Sequence, residues 1–194
     1  MNQEIEIEFK NIVTEAEFNL LCEGFSIEKT AFQQQINHYF DTDDFQLKKH
    51  GSALRIREKN NTFTLTLKQP NEIGLLETHQ SLTIDEGQEA LNFGNIPIGS
   101  IASQLEKSFQ IDLSKCLYLG SLKTNRAEIP YLGGTLVFDH SFYFDVDDYE
   151  IEYEVKNEKI GKEIFENIFS KYKIPIKQTD NKIKRFFLMK QKKQ

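Results

Sequence analysis

The sequence predicts a mainly β chain of the α+β class, one antiparallel sheet with a few helices laid against it. Three observations predict it. Apolar and polar residues alternate with a period of two through about eight or nine segments. Sixteen Phe and seven Tyr accompany only four Pro, the composition of a folded, aromatic-rich chain. Clear helical stripes are few beside the strands.

The elements follow in order. Over residues 3–13, Ile5, Ile7 and Phe9 face one way and Glu4, Glu6, Glu8 and Lys10 the other, which is strand periodicity. Thr14 then opens a helix, with Glu17 as its capping-box partner and Gly24 as its stop. Residues 31–40 form a second strand running into His38-Tyr39-Phe40-Asp41, followed by a turn through Asp43 and Asp44. Residues 53–59 and 62–69 read as a hairpin around Asn60-Asn61, with Thr62, Thr64, Thr66 and Lys68 opposite Phe63, Leu65 and Leu67. Gly74 to Ser81 is the next strand. Residues 82–112, broken by Gly87, Gly94, Pro97 and Gly99, are expected to hold short helices, the clearest around Ile98–Phe109. Strands return at Lys115–Ile129, at Thr135–Asp145 after Gly133-Gly134, and at Asp148–Lys156. Ile160, Ile164, Phe165, Ile168 and Phe169 form the apolar stripe of a helix over Lys159–Tyr172. Residues 182–189 are expected to return to the sheet, and Lys190–Gln194 to be a polar tail. With no internal repeat or linker, residues 1–190 are expected to form a single domain.

The polar faces are rich in Glu, Arg and Lys at matched phase. An open sheet facing water explains this, and so does a closed antiparallel sheet with a wet, charged lumen and helices outside.

Composition excludes several classes. The net charge of −6 argues against a stable nucleic-acid partner, and the strand content against a helix-based DNA reader. No apolar run is long enough to span a bilayer and no basic-then-apolar leader is present, so no membrane partner and a cytoplasmic location are expected. Cys22 and Cys116 form neither a metal motif nor a disulfide framework, and Cys22 reads as a buried thiol. There is no GxxxxGK[ST] loop, no Ser/His/Asp set, and no ligand-spaced cluster among His38, His50, His79 and His140.

The charged residues that remain form two acidic faces and a dispersed basic set. Glu4, Glu6 and Glu8 share one side of the first strand, and Glu150, Glu152 and Glu154 one side of a late strand. Carboxylates spaced about 7 Å apart on a strand repel, and a hard divalent cation relieves that, although two solvated faces would also fit the spacing. Arg55 and Arg57 share a face, Lys10 continues the first acidic face, and Lys68 ends the threonine face. Lys123 and Arg126 differ in strand parity, as do Lys182 and Arg185, so one of each pair is expected to lie in a bend or to point elsewhere. Asp139 is placed to hold metal or to pair with an arginine.

Glu6-Ile7-Glu8-Phe9-Lys10 resembles the ExExK signature of the CYTH, or triphosphate tunnel metalloenzyme, superfamily, and Gln3–Lys10 is similar to the opening of its YjbK-like bacterial branch. The resemblance continues through Tyr39-Phe40-Asp41-Thr42, Leu54-Arg55-Ile56-Arg57, Thr66-Leu67-Lys68, Arg126, Asp139 and Tyr149-Glu150-Ile151-Glu152. It implies a closed eight-stranded antiparallel β-barrel forming a charged tunnel, with helices packed outside. It implies Glu6, Glu8, Asp139, Glu150 and Glu152 as ligands of Mg²⁺ or Mn²⁺, and Lys10, Arg55, Arg57, Lys68 and Arg126 as triphosphate ligands, joined by Lys182 and Arg185. Glu154 is an extra acidic residue on the late face. The stretch Asn181-Lys182-Ile183-Lys184-Arg185 departs from the family's closing SKxxR or SKxxK at the Ser position, which leaves open whether Lys182, Lys184 or Arg185 enters the tunnel.

The activity so implied is divalent-metal-dependent hydrolysis of a terminal phosphoanhydride, with inorganic triphosphate as the first substrate. A class IV-like adenylate cyclase, a thiamine- or nucleoside-triphosphatase, and a non-catalytic polyphosphate- or nucleotide-binding module are the alternatives. The expected partner is inorganic or organic triphosphate, with a homodimer left open.

Overall fold

The structure, a computed structural model, describes residues 2–192. Among the described residues, eight strands run β1 (Asn2–Val13), β2 (Gln33–Thr42), β3 (Ala53–Lys59), β4 (Thr62–Pro70), β5 (Leu75–Leu82), β6 (Cys116–Tyr131), β7 (Gly134–Tyr143) and β8 (Val146–Val155). They close into one antiparallel barrel in the order β1-β5-β4-β3-β2-β6-β7-β8. The closed sheet, not the open one, is therefore the solution the alternating strands adopt. Among the described residues, six α-helices accompany it outside the barrel: α1 (Glu15–Gly24), α2 (Gln46–Lys49), α3 (Ile84–Phe93), α4 (Ser100–Phe109), α5 (Glu158–Lys171) and α6 (Lys182–Lys192). The described residues fall into two compact units, 2–5 with 35–121, and 6–34 with 122–192.

In the first unit β2, β3, β4 and β5 form an antiparallel meander. The β3–β4 turn places Asn60 and Asn61 at φ 50° and 59°, the left-handed pair that a two-residue hairpin requires and that Asn tolerates. On one face Phe40, Leu54, Ile56, Phe63, Leu65 and Leu67 pack with Ala90 of α3 and with Ile101 and Leu105 of α4. Helix α3 starts at a capping box, Thr83 with Glu86, a local signal more definite than the general expectation of short helices in this stretch. Asp41 is buried, and its carboxylate accepts hydrogen bonds from the backbone amides of Thr42, Leu47 and Lys48, which holds the single turn of α2 against β2.

In the second unit β1, β8, β7 and β6 are neighbours in that order. Thr14 and Glu17 form the expected capping box. The β6–β7 turn puts Leu132 and Gly133 at φ 43° and 83°, so the Gly133-Gly134 break is a tight hairpin. Phe18 and Leu21 of α1 and Phe165, Ile168 and Phe169 of α5 bury Leu136, Phe138, Ile151 and Tyr153 of β7 and β8. Helix α5 comes so close to the sheet that a Cβ on Gly161 would meet a Val155 methyl at 2.5 Å.

Residues 182–189 do not return to the sheet; they form most of α6. Asn181 explains why. Its side chain accepts from the Lys184 amide at 2.9 Å and its carbonyl from the Arg185 amide at 3.1 Å, the geometry of a helix N-cap. Phe186 and Phe187 are then buried on one face, with Phe186 stacked on Phe144 of the β7–β8 turn. Lys190–Lys192 belong to this helix rather than to a polar tail, and residues 193–194 lie outside the described residues. Both cysteines are free; Cys116 is buried as a core thiol, whereas Cys22 is only half-buried. Among the described residues, no helix is long and apolar enough to cross a membrane.

Candidate functional site

In each unit the sheet face away from the hydrophobic core carries the charged residues. In the second unit, strand register aligns them. Arg126 on β6 lies opposite Asp139 on β7, and Asp139 opposite Glu150 on β8. Lys10 on β1 lies opposite Glu152, and Glu8 opposite Glu154.

The deepest cluster is a network of buried ions. Arg126 donates to Asp139 through Nε at 2.7 Å and Nη2 at 2.5 Å, and Nη2 also reaches Glu152 at 2.7 Å. Lys182 Nζ contacts Asp139 at 2.7 Å and Glu152 at 2.5 Å, and pairs with Glu150. Arg185 donates to Asp148 at 2.9 Å and to Glu150 at 2.5 Å. Asp139 and Glu150 are fully buried. Burial pushes the Glu150 carboxyl up to about 7, with Lys182 pulling against it and the neighbouring Glu152 charge adding to the rise. Burial acts the same way on Glu152, but Lys182 and Arg126 together hold it well below the usual carboxylate range. Of the two roles that its position suggested, Asp139 takes the pairing with an arginine, and its carboxylate lies beside those of Glu150 and Glu152.

The parity conflicts resolve differently. Lys123 points away from this network, with its ammonium 5.5 Å from the Phe142 ring, while Arg126 enters it. Lys182 and Arg185 both enter, because positions three apart share a helix face though they would oppose each other on a strand. Lys184 is excluded; it is exposed and pairs with Asp180 at 2.7 Å.

A second carboxylate group lies along β1. Oxygens of Glu6, Glu8 and Glu154 all come within 4.8 Å of one another, and Lys10 pairs with Glu8. Burial raises the Glu154 carboxyl to about 7; Arg126 opposes the shift, and the charges of Glu152, Glu6 and Glu8 add to it. Three hard oxygen donors this close together suit a divalent cation. By contrast, the Asp139, Glu150 and Glu152 oxygens, which also cluster within 4.8 Å, are already met by Lys182, Arg126 and Arg185. The five expected metal ligands therefore fall into two groups, and Glu154 joins the first of them.

In the first unit Arg55 and Arg57 of β3 and Lys68 of β4 share the polar face with Thr64 and Thr66. Asn37 accepts from Arg57 Nε at 3.2 Å. Lys68 pairs with Glu77, which is 4% exposed and has Arg55 Nη2 at 4.0 Å. Glu77 is not among the residues the motifs single out. Its strand, Leu75-Leu76-Glu77-Thr78-His79-Gln80, lacks clean alternation, and only the register opposite Lys68 reveals it. His38 lies on the other face of β2 from the residues opposite Arg55 and Arg57, with Glu58 at 3.5 Å and Tyr118 at 3.4 Å.

Comparison with known proteins bears on the family and the fold. The CYTH domain family matches residues 4–187. YjbK of Bacillus subtilis (strain 168), described as a candidate triphosphatase, is 46% identical over 192 residues, covering 99% of each chain. A solved structure from Bacillus halodurans, described as a candidate adenylate cyclase, is 46% identical with a TM-score of 0.92 and covers 96% of this chain and 100% of its own. A Hippeastrum protein, described as a candidate adenylyl cyclase with a dominant triphosphatase activity, is 25% identical with a TM-score of 0.79, covering 94% of this chain and 95% of its own. With a family match over nearly its whole length and a relative this similar, the chain belongs to the CYTH domain family.

Proposed function

We propose that the chain is a divalent-metal-dependent triphosphatase that hydrolyses the terminal phosphoanhydride of inorganic triphosphate. The observation that carries this is the second unit's polar face, where the Glu6, Glu8 and Glu154 carboxylates share a wall with buried, fully oriented Arg126 and Lys182. Glu6, Glu8 and Glu154 would hold Mg²⁺ or Mn²⁺, which when bound would offset the charge developing on the transferred phosphoryl group. Asp139, Glu150 and Glu152 would keep Arg126, Lys182 and Arg185 aimed at phosphate oxygens, and could supply ligands to a second ion. Arg126 would turn Nη1, now 3.6 Å from Glu128 and 3.8 Å from Glu154, toward phosphate, and Lys10 and Lys182 act as point charges. In the first unit, Arg55, Arg57 and Lys68 are the proposed phosphate-binding groups. Electrostatic preorganisation of this kind stabilises the transition state because the donors are already oriented when charge develops. The family match from 4 to 187 spans both units and supports reading residues 1–190 as one functional domain.

Phosphate release from inorganic triphosphate, with Mg²⁺ or Mn²⁺ and with chelator, tests the proposal. Folded protein that releases no orthophosphate in any of these mixtures overturns it. Adenylate cyclase is the second reading, favoured by the description of the Bacillus halodurans relative. Product analysis with ATP separates the two: cyclisation yields pyrophosphate and cyclic nucleotide, hydrolysis yields orthophosphate.

A further inference from the structure

Glu4 extends the acidic face of β1 beyond the ExExK motif, and His79 has no part in the reaction outlined above. The two side chains meet. His79 Nε2 lies 3.0 Å from Glu4 Oε1 and 3.5 Å from Glu77 Oε2, and its Nδ1 lies 3.1 Å from Thr66 Oγ1. A ring nitrogen beside two carboxylates must be the one that carries hydrogen, so Nε2–H donates to Glu4 and remains against Glu77. In its neutral form the ring then accepts the Thr66 hydroxyl at Nδ1. Both nitrogens are anchored, which fixes ring orientation and tautomer together.

Register shows what this anchor serves. Thr66 lies between Arg55 and His79 across β3, β4 and β5, and Glu77 lies opposite Lys68. Glu77 is the buried anion that Lys68 and Arg55 approach. Lysine is a compact charge on a flexible stem, so its position depends on where its counter-ion is held.

We propose that Glu4 and His79 form a positioning pair for triphosphate binding. His79, oriented by Glu4 and Thr66, holds the Glu77 carboxylate where it keeps Lys68 and Arg55 presented to phosphate. Neither Glu4 nor His79 acts on the substrate directly. This inference rests on the phosphate-binding role proposed for Lys68 and Arg55.

The test combines steady-state kinetics with calorimetric titration of inorganic triphosphate for His79→Ala, His79→Gln, Glu4→Ala and the Glu4→Ala/His79→Ala double variant. Losing one net hydrogen bond corresponds to about a fivefold change, so His79→Ala raises both KM and Kd by about fivefold, with kcat changed less than about twofold. Gln restores most of the affinity, because its amide N–H can reach the same carboxylates. Because Glu4 acts through the ring, the double variant is no weaker than His79→Ala alone. Unchanged affinity in His79→Ala, additive losses in the double variant, or no rescue by Gln overturns the proposal. Should His79→Ala fail to fold, Glu4→Ala and His79→Gln decide it: Glu4 is exposed, and its loss alone must still weaken triphosphate binding. Wild-type protein that binds triphosphate without hydrolysing it sinks the catalytic reading but leaves this one measurable through Kd. Wild-type protein that binds no triphosphate overturns both.

Discussion

Asp139→Asn tests the buried ion network directly. Asp139 is fully buried, accepts two hydrogen bonds from Arg126 and contacts Lys182 at 2.7 Å. Asparagine keeps the shape but removes the charge, and one of its two polar atoms becomes a donor facing donors. Stranding a buried ion costs about 3–5 kcal/mol, but here Arg126 keeps Glu152, and Lys182 keeps Glu150 and Glu152. The expected loss is therefore at the lower end, about 3 kcal/mol. For a chain of this size that lowers Tm by roughly 6–12 °C. Scanning calorimetry and urea denaturation measure it, and an unchanged m-value shows that the same surface unfolds. A Tm within about 2 °C of wild type would refute the argument that these contacts stabilise the fold. Loss of activity at unchanged Tm would assign Asp139 to chemistry alone.

Further expectations follow from particular contacts. Glu8→Gln and Glu154→Gln each weaken Mn²⁺ binding and lower triphosphatase kcat by at least about tenfold, measured by calorimetry and phosphate release; equal effects on metal-free anion binding would argue against a ligand role. Lys182→Ala lowers kcat/KM by about a hundredfold or more, whereas Lys184→Ala, which loses only a surface pair with Asp180, leaves it within about twofold. Glu17 supplies a pH test: its hydrogen bond from the Thr14 amide holds its carboxyl below the usual glutamate value. A folded-state value below the unfolded one gives stability that is present above the ordinary carboxylate range and lost as pH falls through the folded value. Glu17→Gln keeps the cap but does not titrate. Wild type should therefore be more stable than Glu17→Gln at pH 7, by about 0.5 kcal/mol at this partly exposed position, and the difference should shrink as pH falls below the ordinary carboxylate range. Urea denaturation across that pH range measures this, and a gap that does not shrink refutes it.

Much of the barrel is legible along the chain because strand and turn signals are local. Period-two alternation places most of the strands, Asn60-Asn61 and Gly133-Gly134 mark two hairpins, and Thr14 with Glu17 marks the start of α1. The end of the chain misleads for a local reason as well: Ile183 to Leu188 looks like a strand unless Asn181 is recognised as a helix cap. The polar and apolar faces are also readable, since alternation assigns each side chain to one side of its strand.

The sequence by itself determined which residues carry charge on which strand face, and the ExExK pattern that identifies the family. Tertiary structure alone decided which charges meet. Register across β1 and β8 brought Glu154 to Glu6 and Glu8, register across β4 and β5 set Glu77 against Lys68, and the helical form of α6 turned Lys182 and Arg185 toward the same acids while sending Lys184 out. The physical reason is range. Periodicity and caps are set within a few residues, but a carboxylate's partner and its proton affinity depend on burial and on charges contributed by strands and helices far away in the chain.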